Sequence, residues 1–108
     1  MADVDGDATS ARFETMSDEM GECVLRVSGE VDLSNVALFR EAIESCVSSS
    51  PPRLVLDVGD LTFMDSSGLA VLLRAATRLD SVVLRHPRSI IRRLIETTGV
   101  SSILTMEP

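Results

Sequence analysis

Two hydroxyls, a carboxylate and a glycine stand in a row at Asp65-Ser66-Ser67-Gly68, and no other stretch of the chain is better equipped for chemistry. Apolar residues run into it, and Leu69, Leu72, Leu73, Ala76 and Leu79 run out of it at helical spacing. A serine at such a strand-to-helix junction is displayed on the surface at a helix start. A kinase can reach it there, and a partner can read whether it carries phosphate. A plainer role is also open. Asp65 or Ser66 can cap the helix that begins near Gly68, which is worth ~1 kcal/mol and accounts for the residue types on its own. Gly68 costs helix propensity and lets another backbone approach closely, which tilts the balance toward a use beyond capping.

Catalysis is poorly supplied. The chain has one histidine, His86, placed just before Pro87, where a capping or surface role is expected. No GxSxG elbow surrounds Ser66 or Ser67, and no GxGxxG or GxxxxGK[ST] loop offers a phosphate cradle. Glu30, Asp32, Asp57, Asp60 and Asp65 can gather at one sheet end as a hydrolytic pair or a metal site. Carboxylates at such junctions are more often caps or solvated loops. A non-enzyme without cofactor or metal is expected. A small hydrolase using Ser66 or Ser67 is the contrasting reading, and it lacks a base.

Composition sets the frame for these residues. A chain of 108 residues with 44% apolar content suits one soluble domain. No apolar run approaches the ~20 residues of a membrane span. Residues 1–7 are acidic with no apolar core, unlike a secretory signal, so a cytoplasmic protein is expected. The formal charge of −7 argues against nucleic-acid binding. Residues 1–60 carry thirteen carboxylates against four arginines, while residues 61–108 carry four against six. Every base is arginine. Cys23 and Cys46 lack zinc spacing, and two buried, inert thiols are expected. A regulatory disulfide between them requires facing side chains.

The elements that must position the serines follow from periodicity. Residues 1–10 read as a flexible acidic tail, with one domain over 11–108. Arg12–Met16 and Glu22–Ser28 alternate as strands and form a hairpin across Ser17–Gly21. Gly29-Glu30-Val31-Asp32 leaves the second strand, and Asp32 or Ser34 can cap a helix over about 35–48. Ser48–Pro52 ends that helix. Leu54–Val58 is a strand buried on both faces. A helix then ends near Arg78, Ser81–Arg85 is a strand, and Pro87 opens a third helix that Gly99 closes. Ser101–Met106 adds an edge strand. The order ββαβαβαβ predicts a small layered α/β domain, a mixed, mostly parallel sheet with helices packed on it through right-handed crossovers.

The string Asp60-Leu61-Thr62-Phe63-Met64-Asp65-Ser66-Ser67-Gly68-Leu69 resembles the STAS domains of bacterial anti-sigma factor antagonists. Gly29-Glu30-Val31-Asp32 is similar to the family's second signature, and Pro87 with Ile90 through Gly99 to its third helix. The likeness covers about residues 12–106. The loop at Arg78-Leu79-Asp80 is shorter than is common there, and His86 stands where a Ser or Asn is usual.

The resemblance implies a partner switch. The unphosphorylated protein binds an anti-sigma factor with serine kinase activity and so frees the sigma factor. Phosphorylation of Ser66, with Ser67 the runner-up, turns it off, and a phosphatase acting on phosphoserine resets it. Glu30, Asp32, Met64, Asp65, Ser66, Ser67 and Gly68 are the expected partner-binding residues. Asp32 reads equally as a helix cap. A monomer without membrane insertion is expected. A stand-alone STAS subunit of a membrane transporter or signalling complex, without phospho-switching, is the alternative. Arg85, Arg88, Arg92 and Arg93 form a basic stretch, either a solvated helix face or a surface selecting an acidic partner.

Overall fold

Alternating residues near the N-terminus build a hairpin from β1 (Ala11–Ser17) and β2 (Cys23–Val31). Asp18 closes its turn: one carboxylate oxygen accepts the backbone N–H of Met20 at 2.9 Å and of Glu22 at 3.0 Å. A computed structural model describes residues 11–47 and 53–108. The expected tail over 1–10 and the helix-ending turn at Ser48–Pro52 lie outside the described residues. After the hairpin come α1 (Val36–Val47), β3 (Arg53–Met64), α2 (Ser66–Arg78), β4 (Ser81–Arg85), α3 (Ser89–Thr97) and β5 (Leu104–Glu107), in the order read from the sequence.

The five strands lie side by side in chain order. β1 and β2 are antiparallel, and each later neighbour pair is parallel. Crossovers of one hand that always step the same way leave their helices on one face of the sheet. The core agrees. Leu25, Val27, Leu54, Leu56, Val82, Leu84 and Leu104 from the sheet join Phe39, Ile43, Leu69, Leu72, Ile91 and Ile95 from the three helices in one buried cluster. Phe13 of β1 stacks on Phe39 of α1, with ring centroids 5.7 Å apart. The other sheet face holds a row of buried valines, Val24, Val55 and Val83. Beside it runs a row in register across all five strands, Glu14, Arg26, Asp57, Arg85 and Glu107, whose signs alternate. Arg85 pairs with Glu107 at 3.2 Å and with Asp18 at 3.8 Å.

Several boundaries differ from the sequence reading. β2 continues through Gly29-Glu30-Val31, and β3 runs on to Met64 rather than ending at Val58. The two keep pairing as far as Val31 opposite Met64, through register shifts beside Ser28 and Gly29. Gly29 takes a positive φ of 91° that suits such a bulge. Charged and glycine residues in these segments hid the pairing from periodicity. Pro87 precedes the third helix, which starts at Ser89 after Arg88. The last strand begins at Leu104, because backbone bonds from Ile103 and Leu104 to the Val100 carbonyl hold 100–103 in a turn. The two thiols expected to be inert are instead joined as a disulfide. Cys23 sits on the helix side of β2 and Cys46 faces inward from α1, with their Cα atoms 6.3 Å apart.

Candidate functional site

Parallel pairing of β2 with β3 delivers the ends of both strands to the same sheet edge. The Asp65 N–H donates to the Val31 carbonyl at 3.1 Å, so the β2–α1 and β3–α2 loops begin in contact. The Thr62 hydroxyl adds a bond to the Gly29 carbonyl at 3.0 Å.

Asp65 is the N-cap of α2, in extended backbone conformation. Its Oδ1 accepts the N–H of Ser67 at 2.9 Å, the N–H of Gly68 at 3.3 Å and the Ser67 hydroxyl at 2.5 Å. The Ser67 hydroxyl bond, with the amides of Gly68, Ser67 and Leu33, holds the Asp65 carboxyl below the usual carboxylate value against the opposing effect of burial. The Leu33 amide belongs to the other loop, and the direct tie between the loops is the bond from the Asp65 N–H to the Val31 carbonyl. The capping expected of Asp65 or Ser66 thus falls to Asp65, and the helix begins three residues earlier than its apolar stripe.

The two serines are not equivalent. Ser67 is half-buried with its hydroxyl engaged. Ser66 is exposed, and no hydrogen bond to its hydroxyl occurs among the described residues. Gly68 is buried beneath them. A Cβ there would stand 2.6 Å from Met64 Cγ and 2.9 Å from Val31 Cγ1, so α2 lies against the strand ends only because the side chain is missing. Met64 is likewise buried. Glu30 is exposed near the end of β2, and Asp32 is half-buried in the loop that follows it.

That loop is organised by Asn35, the buried polar side chain of the core. Its Oδ1 accepts the Asp32 N–H at 3.0 Å, and its Nδ2 donates to the Glu30 carbonyl at 2.8 Å. Its own carbonyl accepts from Leu38 and Phe39, starting α1. The expected cap roles of Asp32 and Ser34 are therefore displaced. Asp32 Oδ1 binds the Ser34 N–H at 2.9 Å and the Ser34 hydroxyl at 2.5 Å, closing the turn ahead of the helix. Asn35 was legible only as a cap-type residue before an apolar run.

Two apolar side chains at this edge also escaped the sequence reading. Leu33 is 79% exposed, and Phe63 is 41% exposed on the strand position opposite Glu30. Each is an apolar residue beside a polar signature and carries no periodic signal.

The remaining candidates disperse. Asp57 turns to the Gly59 N–H at 3.0 Å on the far sheet face. No group of three or more His, Cys, Asp or Glu side chains able to hold a metal occurs among the described residues. His86 is exposed at φ 60°, and its N–H donates to the Glu107 carbonyl rather than capping α3. The basic stretch is no single helix face either, because Arg85 lies in β4 and Arg88 Nε binds the Gly59 carbonyl at 2.9 Å.

Known proteins resemble this chain in sequence and fold. The profile of the STAS domain family matches residues 15–108. Anti-sigma-F factor antagonist RsfB of Mycobacterium tuberculosis is 35% identical over 69 residues, which cover 64% of this chain. The chain spans only 57% of that relative's length. The crystal structure of an anti-sigma factor antagonist from Mycobacterium paratuberculosis superposes with a TM-score of 0.78 at 32% identity, over 92% of this chain and 86% of that one. The anti-sigma factor antagonist SpoIIAA, in its unphosphorylated form, shares the fold, with a TM-score of 0.72 at 22% identity over 88% of this chain and 87% of that one.

A five-stranded mixed sheet, helices on one face and two joined signature loops at one edge define a STAS-type domain. The chain belongs to the STAS domain family. No helix among the described residues is long and apolar enough to cross a membrane.

Proposed function

We propose that this protein is a cytoplasmic, non-enzymatic anti-sigma factor antagonist switched by phosphorylation of Ser66. Unphosphorylated, it binds an anti-sigma factor with serine kinase activity and so releases the sigma factor. The kinase supplies ATP and metal, and a phosphatase returns the protein to its binding form. The observation that carries this reading is the pairing of an exposed, unengaged Ser66 with a Ser67 hydroxyl held on Asp65.

The chemistry is consistent with a switch that spares the fold. A phosphate adds about −1.5 to −2 charge at neutral pH. At the start of α2 the backbone N–H groups tolerate it. A partner covering the same edge must instead desolvate it beside Asp65, Asp32 and Glu30. Leu33, exposed in the adjoining loop, gives that partner an apolar anchor, the kind of contact that dominates interface energetics. Glu30, Asp32, Asp65 and Ser67 surround the serine, while buried Met64 and Gly68 act from beneath by shaping the edge. A loss of ~1.4 kcal/mol lowers affinity tenfold, and an unpaired buried charge costs several times more.

The test is capture from native cytosol with unmodified and Ser66-phosphorylated protein, followed by phosphopeptide mapping after incubation with the captured kinase. Capture by the unmodified form alone, with label on Ser66, is the expected result. Recovery of a transporter ATPase and no serine kinase by either form would transfer the assignment to a transporter-type STAS subunit.

A further inference from the structure

Away from the serine edge, α1 and α2 line a groove of about 340 Å³. Its floor is apolar, formed by Ile43 and Val71. Its rim is cationic: Arg40 from α1, with Arg74 and Arg78 from α2. Glu44 engages Arg78 through both carboxylate oxygens, at 2.7 and 3.3 Å. Arg40 and Arg74 have no ion pair among the described residues. Three arginines and a single carboxylate thus line one groove, in a chain whose net charge is −7.

We propose that this groove binds a small organic anion, a phosphate or carboxylate group carried on a flat apolar body. Guanidinium forks grip such groups through paired hydrogen bonds, and a bound anion supplies the partner that Arg40 and Arg74 lack among the described residues. The apolar floor takes the body of the ligand. The volume lies at the small end of the ~300–1,000 Å³ typical of small-molecule sites, which favours a one- or two-ring molecule over a segment of protein. Arg74 lies eight residues beyond Ser66 on the same helix, about 12 Å along its axis. The groove is therefore a separate site, and its existence does not rest on the phosphorylation switch.

The full chain, labelled with ¹⁵N, is titrated with 1-naphthyl phosphate and, separately, with inorganic phosphate. Naphthyl phosphate gives saturable amide shifts centred on residues 40–44 and 71–78, with inorganic phosphate weaker by about tenfold. Replacing both Arg40→Gln and Arg74→Gln weakens naphthyl phosphate by at least about tenfold, whereas Arg93→Gln, exposed on α3, leaves it unchanged. The same spectra report that each variant is folded. Shifts that do not saturate, shifts that survive the double substitution, or equal binding of the two phosphates would each overturn the proposal.

Discussion

The Ser67 hydroxyl donates to Asp65 Oδ1 at 2.5 Å, while the adjacent Ser66 faces solvent. One carboxylate thereby separates two neighbouring residues of the same type. With the captured kinase, Ser66→Ala abolishes phosphate incorporation. Ser67→Ala retains it and lowers stability by about 1 kcal/mol through the lost hydrogen bond. Intact-mass measurement reads the first effect and urea denaturation the second. Label persisting in Ser66→Ala would assign the acceptor to Ser67.

Asp65 also sets a pH dependence. Its carboxyl sits below the usual carboxylate value in the folded chain, so the fold favours the ionised form. That contribution is complete above the unfolded value, near pH 4, and is lost as pH falls through the lower folded value. The stability advantage of the native chain over Asp65→Asn should therefore shrink on acidification below about pH 4. Denaturation curves at a series of acid pH values decide it, and parallel curves for the two proteins would contradict the assignment.

Asn35 fastens the second loop. Asn35→Ala leaves the Glu30 carbonyl and the Asp32 N–H without their partner, at an expected cost of about 1–3 kcal/mol. Asn35→Asp keeps an acceptor for Asp32 but loses the donor to Glu30, so it should restore only part of that loss. Full recovery by aspartate would show that the Glu30 bond contributes nothing.

At Gly68 two effects oppose each other. Alanine gains about 1 kcal/mol of helix propensity, but its methyl group overlaps Met64 and Val31. Overpacking of this kind costs roughly 1–3 kcal/mol and pushes α2 off the strand ends. The net expectation for Gly68→Ala is a lower Tm, together with altered amide shifts at Asp65–Ser67. A raised Tm would show that Met64 simply turns aside.

The disulfide joins positions 23 residues apart, across β2 and α1. Chain-entropy reasoning assigns such a loop about 3 kcal/mol of stability. Reduction, or Cys46→Ser, should lower the urea midpoint accordingly, with a steeper slope as the unfolded chain expands. Two titratable thiols in the unreduced, denatured protein would refute the bond.

The element order and sheet type were legible because Leu25/Val27, Leu54/Leu56 and Val82/Leu84 each mark a strand, while Phe39/Ile43 and Leu69/Leu72 mark helices. The ends of β2 and β3 were not. Glu30, Asp60 and Thr62 break the apolar pattern, and only the pairing between the two strands makes those segments extended. At the site, the capping oxygen of Asp65 follows from local chemistry. The burial of Met64 and the bond from the Asp65 N–H to the Val31 carbonyl depend on how two segments distant in sequence meet, while the clasp of Asn35 on Glu30 depends on the fold of the turn between them. The disulfide fell in the same class, since side-chain direction across α1 and β2 decides it.

The strands stand in the sheet in the order in which they are synthesised. Each new strand therefore leaves the ribosome with its neighbour already made, and none awaits a later segment to fill a gap. Every parallel pair is closed by a crossover of ordinary length, which keeps the loop entropy of each addition modest. The nascent protein can assemble from one edge to the other, with the Ser66 edge complete once β2 and β3 have paired and α2 has docked.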